Sequence, residues 1–300
     1  MERYLHFNKW LKHKFGERTL KICIDGGFTC PNRDGKCGRG GCIFCGERGA
    51  GENTKSIPIK QQVLNHLNSY KGTRANKFIA YFQNFSGTYD TIENLKFKYD
   101  SALVDNRIVA LSVATRPDCI NEDIAKLLSS YKNKYYVYVE LGLQTANEKT
   151  GELINRKYTN QDFIKAVKIL NKYNIDVVTH IMVGLLGEGE KDVLNTVKFI
   201  NGLPIIGVKI HSTYIIKNTI LEQIYLNNKY KPIELQNYVK MVGSIIANLR
   251  KDIVICRISG DAPKKLLVAP EWNIHKKIVI NEINKYLELY NITQGCLVDR

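Results

Sequence analysis

"LKICIDGGFTCPNRDGKCGRGGCIFC", residues 20–45, is the stretch on which the reading of the chain turns. It opens as an apolar, β-branched run, "LKICID", with the length of a strand. It then passes into a glycine-rich loop holding Cys30, Cys37, Cys42 and Cys45, four of the 8 cysteines. Cys42 and Cys45 stand C-x2-C, a spacing that lets two thiolates converge on one metal centre while the backbone between them turns. Cys37 lies five residues before Cys42, and Cys30 twelve. Gly35, Gly38, Gly40, Gly41 and Gly46 let the loop wrap a metal centre closely. Four thiolates would close a tetrahedral zinc site; three would hold a 4Fe–4S cluster with one iron open. The spacing alone favours neither.

Outward from this loop the chain repeats strand then helix. Further apolar runs occur at "KFIAYFQ" (77–83), "RIVALSVAT" (107–115), "YYVYVELGLQ" (135–144), "IDVVTHIMVG" (175–184) and "IIGVKIHSTYII" (205–216). Helical periodicity fills the gaps at 57–71, 121–132, 161–173 and 190–201, with Ile124, Leu127 and Leu128, or Phe163, Ala166, Val167 and Leu170, on one face. Near-continuous apolar strands suit a parallel sheet covered on both faces. Six βα units predict an α/β fold, a partial (β/α)6 barrel over residues 19–228, after an N-terminal segment at 1–18. Residues 229–300 read as a small C-terminal α/β extension packed on the barrel. It has helices at 232–250 and 273–290 around "IVICRISGDAPKKLLVAPEW", a strand and a Pro/Gly-rich loop. In such barrels the chemistry sits at the C-terminal ends of the strands, which is where the cysteine loop emerges.

The hydrophobic fraction of 44% and charged fraction of 24% are those of a globular protein, and no apolar run approaches the ~20 residues of a membrane span. The N-terminal "MERYLHFNKWLKHKFGER" lacks a signal peptide's apolar stretch. The expectation is a cytoplasmic protein with no membrane partner and reduced thiols, which favours metal or redox chemistry over disulfides. The net charge of +15 points to a polyanionic partner such as nucleic acid.

"KICIDGGFTCPNRDGKCGRGGCIFC" resembles the radical SAM superfamily, specifically its YhcC/YtqA-type branch, related to the Elongator catalytic subunit and to oxygen-independent coproporphyrinogen oxidases. The resemblance extends over residues 3 to 275. It implies a 4Fe–4S cluster on Cys30, Cys42 and Cys45, and S-adenosylmethionine as second cofactor. Cys37 has no place in that pattern and reads as a spare thiol. Cys23, Cys119 and Cys256 read as small buried hydrophobes, and Cys296 as incidental.

The same resemblance implies a cofactor cradle along the strand ends. Gln83, Asn84, Ser86 and Thr88 in "YFQNFSGTYD" occupy the place of the residues that bind the methionyl amine, though the family's "GGE" is missing. Gln144 and Arg156, twelve apart in "ELGLQTANEKTGELINRKYT", reproduce a Gln/Arg spacing that holds the ribose and carboxylate. Glu140, inside an apolar run, needs a partner or ligand. Gly184 and Gly187 in "THIMVGLLGEGE" correspond to a glycine turn near the adenine, and His180 to a further cofactor position. Lys209, His211 and Lys217 point to the substrate mouth, with Arg257, Asp261, Lys264 and Lys265 closing over it.

The implied reaction is reductive cleavage of S-adenosylmethionine to a 5′-deoxyadenosyl radical that abstracts hydrogen from a substrate. Its implied partners are a low-potential electron donor, ferredoxin or flavodoxin, and tRNA, with the wobble-uridine side chain as the site modified. A small-molecule or protein substrate is one alternative. A non-catalytic, zinc-stabilised RNA-binding protein using all four loop cysteines is the other.

Overall fold

The computed structural model describes residues 2–49, 51 and 54–298. Nine strands are present among them: β1 (Thr19–Ile24), β2 (Lys77–Phe82), β3 (Ile108–Thr115), β4 (Tyr136–Gln144), β5 (Asp176–Val183), β6 (Gly207–Ser212), β7 (Ile215–Ile216), β8 (Val254–Arg257) and β9 (Leu267–Ala269). Seven form one parallel sheet in the order β1-β2-β3-β4-β5-β6-β8. The helices are α1 (Phe7–Phe15), α2 (Ile59–Leu67), α3 (Ile92–Ala102), α4 (Glu122–Ser130), α5 (Glu148–Leu153), α6 (Asn160–Lys172), α7 (Glu190–Asn201), α8 (Ile220–Leu226), α9 (Leu235–Asn248) and α10 (Lys276–Leu289).

The sheet is curled, and the side chains prove it. Neighbouring strands lie about 4.8 Å apart, so β2 and β6, four strands apart, would stand roughly 19 Å from each other if the sheet were flat. Yet Lys209 Nζ of β6 lies 3.2 Å from Tyr81 Oη of β2. The expected partial barrel is therefore present, and a seventh parallel strand extends it.

That strand is β8, from the segment expected to pack on the barrel; it pairs with β6 through Gly207 and Val254. The run at 205–216 also divides. Its first half is β6, and Ile215–Ile216 leaves the sheet to pair antiparallel with β9.

Alternation divides each strand between two environments. One set of side chains, including Ile22, Ile24, Phe82, Leu111, Val139, Ile181 and Ile210, packs under the helices. The other set faces the lumen. The lumen's floor is apolar: Phe7 and Leu11 of α1 pack on Ile79, Ala110, Tyr138, Val178 and Val254. The helix that plugs it starts at His6, whose Nδ1 accepts from Asn8 N, and stops at Gly16, with φ +82°. Just before α1, Leu5 O accepts from Ile255 N at 2.9 Å, tying the N-terminal segment to β8.

Candidate active site

The cysteine loop follows β1 and is laced to the turn that follows α5. Asn32, fully buried, donates to Asn155 O at 2.6 Å; Asn155 Nδ2 returns a bond to Gly41 O at 2.7 Å. Ile43 N donates to Ile154 O, and Leu221 N to Ile43 O. Gly38 is required here, since a Cβ would stand 2.1 Å from Asn32 Oδ1. Two donors point at sulfur: Asn32 Nδ2 lies 3.8 Å from Cys42 Sγ, and an Arg33 nitrogen 3.8 Å from Cys45 Sγ. Such N–H···S contacts are characteristic second-layer support for thiolate clusters.

Burial first, then the neighbouring Cys45, pushes the Cys42 thiol up to about 12, with Cys30 adding in the same direction. The three expected ligands therefore share one electrostatic neighbourhood. Cys37 is exposed, with an Arg116 nitrogen 3.7 Å from its sulfur, and it senses Cys30 as well. Among the described residues, no three His, Cys, Asp or Glu side chains form a ready-made metal cage.

Backbone strain gathers around this loop. Phe85, Gln144, Asn155 and Lys157 all have positive φ, +54°, +68°, +57° and +64°. Non-glycine residues in this region cost roughly 1–3 kcal/mol each and persist only where surrounding structure enforces them. Gln144 is half-buried at the last position of β4, beside a register shift between Gly142 and Gln144.

Other cradle residues are placed differently from the expectation. All five N–H groups of Arg156 have acceptors within the chain: Tyr158 O, Leu143 O, Thr145 O, Glu148 Oε2 and Asn160 Oδ1. Its side chain is fully buried and leaves no donor for a cofactor carboxylate; it knots the end of β4 to the start of α6. Asn84 is turned to Thr54 at 3.0 Å, and Thr88 to Thr115 and Cys119 O. Ser86 is fully buried beside Cys119. Gln83, half-buried, directly follows β2. Gly184 has φ +86°, and a Cβ there would stand 2.8 Å from Ile233 Cγ2. A cavity of about 530 Å³ lies beside it, lined by Gly184, Gly187, Tyr230, Ile233 and Met241 among others. Lys217, Lys264 and Lys265 are exposed.

Above the apolar floor the lumen turns polar, centred on Glu140. Its carboxylate accepts from Lys21 Nζ (2.6 Å), Tyr81 Oη (2.7 Å), His180 Nε2 (2.8 Å) and Lys209 Nζ. The partner that a buried carboxylate needs is thus supplied four times over by β1, β2, β5 and β6. These partners hold the Glu140 carboxyl well below the usual range against the opposing effect of burial. Burial and Lys209 lower His180 to about 4, so its imidazole is neutral and its Nε2–H donates. Lys21 and Tyr81 were not among the sequence candidates. The signal was available: a lysine inside the apolar strand "LKICI" must either leave the sheet or meet a carboxylate. Cys23 also departs from expectation. It is exposed rather than buried, two residues beyond Lys21 on the same face of β1. Cys119 and Cys256 are half-buried and Cys296 exposed.

Comparison with known proteins places this architecture. The Radical SAM superfamily model matches residues 34–200, and the Radical_SAM C-terminal domain model matches 205–289. Uncharacterized protein YtqA of Bacillus subtilis is 35% identical across 100% of this chain and 94% of its own length. Protein YhcC of Escherichia coli is 33% identical across 97% and 94%. The tRNA uridine(34) acetyltransferase of Methanocaldococcus jannaschii is 27% identical over 64% of this chain, which spans only 35% of that protein. Among solved structures, Methanocaldococcus infernus Elp3 superposes with a TM-score of 0.72 at 18% identity, over 92% of this chain and 64% of that one. Matched by the family model over more than half its length, and by a relative at 35% identity over all of it, the chain belongs to the radical SAM superfamily.

Proposed function

We propose that this protein is a tRNA-modifying radical SAM enzyme acting on the side chain of the wobble uridine, with Cys30, Cys42 and Cys45 as cluster ligands. Membership of the superfamily brings a 4Fe–4S cluster and S-adenosylmethionine as cofactors. The observation that carries the ligand assignment is the donor set: three thiols in one neighbourhood, with Asn32 and Arg33 aimed at two of the sulfurs. Bound there, the cluster and S-adenosylmethionine would together supply reductive, hydrogen-abstracting chemistry toward the substrate.

The protein's own residues do the rest. Asn32 and Asn155 fix the loop against the turn that follows α5. Gln144, held at positive φ, and Gln83 present the polar strand ends, and Gly184 leaves backbone room beside the 530 Å³ cavity. His180 is oriented by Glu140 and faces the lumen. The tRNA substrate is supported by similarity to the uridine(34) acetyltransferase and by the +15 charge. A low-potential ferredoxin or flavodoxin serves as electron donor.

Iron, sulfide and zinc content of protein purified without oxygen tests the centre. About four irons per chain are expected in wild type and in Cys37→Ala, and loss of iron in Cys30→Ala, Cys42→Ala and Cys45→Ala. One zinc dependent on all four cysteines would overturn the reading. Nucleoside mass spectrometry of tRNA incubated with reduced enzyme and S-adenosylmethionine tests the substrate; an unchanged wobble position, with cofactor cleavage on a small molecule or protein instead, would replace it.

A further inference from the structure

The polar lumen carries more positive charge than its own carboxylates balance. Glu140 is its central anion, set between Lys21 and Lys209. Arg257, brought beside Lys209 by the β6–β8 register, adds a third cation. Its acidic partner Asp261 lies 3.2 Å away but is shared with Lys276 at 2.7 Å. Two hydrogen-bonding groups on this wall also lack partners among the described residues. Lys209 and His211 share one face of β6, and Thr213 follows the strand by one residue; His211 Nε2 and Thr213 Oγ1 are buried with no hydrogen-bond partner among the described residues, and Thr213 is only 1% exposed.

A buried hydroxyl without a partner is destabilising, and cations that must share one carboxylate are only partly compensated. Both deficits are relieved if an anion-bearing ligand lies along this wall, its charge at the level of Lys209 and Arg257 and a polar atom higher up at Thr213. The electrostatics of the wall point the same way. Burial, with repulsion from Lys21 and Arg257, lowers Lys209 to about 7 despite Glu140. His211 is held well below its usual value by burial and by His180, Arg257 and Lys209.

We propose that the lumen wall formed by β6 and the end of β8 is an anion subsite, in which Arg257, Lys209 and His211 receive a carboxylate or phosphate carried by the substrate, with Thr213 at its upper rim. The charge is delocalised across Arg257's planar fork, and the Lys209 ammonium supplies a point charge from below. The subsite deepens the reading of the lumen as the substrate chamber and rests on it. Glu140 sets the spacing of the two lysines and so positions the subsite.

Cys23 provides a probe that needs no turnover. Its thiol is exposed and lies within electrostatic reach of Lys21, Lys209, Arg257 and Glu140. Cys296, exposed in the C-terminal tail, serves as the reference thiol in the same molecule. Cluster-loaded protein is alkylated with iodoacetate, which is anionic, or iodoacetamide, which is neutral. The iodoacetate/iodoacetamide rate ratio is read by peptide mass spectrometry at both thiols. The ratio at Cys23 is expected to exceed that at Cys296 by about threefold or more, as a positive cleft concentrates anions. It should fall toward the reference in Arg257→Gln and stay high in Lys285→Gln, a change on the outer helix α10. Inorganic phosphate and acetate, added separately, should slow Cys23 alkylation, and the more effective of the two identifies a phosphate or a carboxylate as the natural group. Equal ratios at the two thiols in wild type, or an unchanged ratio in Arg257→Gln, would overturn the subsite. Iron content read on the same samples keeps that failure separate from failure of the cluster assignment.

Discussion

At the scale of single residues, Glu140 organises the interior. Removing its charge leaves Lys21 and Lys209 in the lumen without their common anion. Breaking a buried ion pair from one side costs about 3–5 kcal/mol. Glu140→Gln is therefore expected to lower stability by that amount in urea unfolding; a loss under about 1 kcal/mol would mean the lysines find other compensation. The need for a partner at Glu140 was legible in the sequence, because a carboxylate inside "YYVYVELGLQ" had to be paired. Which groups would pair with it was not, since Lys21, Tyr81, His180 and Lys209 come from four other strands and meet only through the curl. Arg156 shows the opposite limit. Its spacing from Gln144 was visible, but its acceptors Leu143 O, Thr145 O and Tyr158 O are backbone atoms positioned by the register shift and turn after β4.

At the scale of elements, the strand–helix alternation was readable because parallel strands covered on both sides leave long apolar runs, and helix periodicity separates them. Two features escaped. A strand could be seen in "IVICR", but nothing local says that four residues will add beside β6 rather than pack elsewhere. The run at 205–216 is apolar throughout, so its departure from the sheet after Ser212 left no break in pattern. The short helix α1 shows how an element of 9 residues governs a barrel. Leu11 is 2% exposed and packs into the lumen floor. Leu11→Ala is expected to cost about 2–5 kcal/mol, measured by chemical denaturation. A cost below about 1 kcal/mol would show that the floor closes without it.

At the scale of the whole molecule, 44 Lys and Arg against 29 Asp and Glu give a surface suited to a polyphosphate partner. No helix among the described residues is long and apolar enough to cross a membrane. If tRNA is bound through its backbone, affinity should fall steeply and log-linearly with salt concentration. A filter-binding series between low and physiological salt checks this, and a flat series would remove phosphate contact from the account.

The plug formed by Phe7 and Leu11 has a kinetic consequence. With its floor sealed, passage straight through the lumen is closed, so a ligand that enters at the mouth turns back toward it. A spent molecule that lingers there obstructs its successor. Added product should therefore act as a competitive inhibitor against fresh substrate, however fast the chemistry inside.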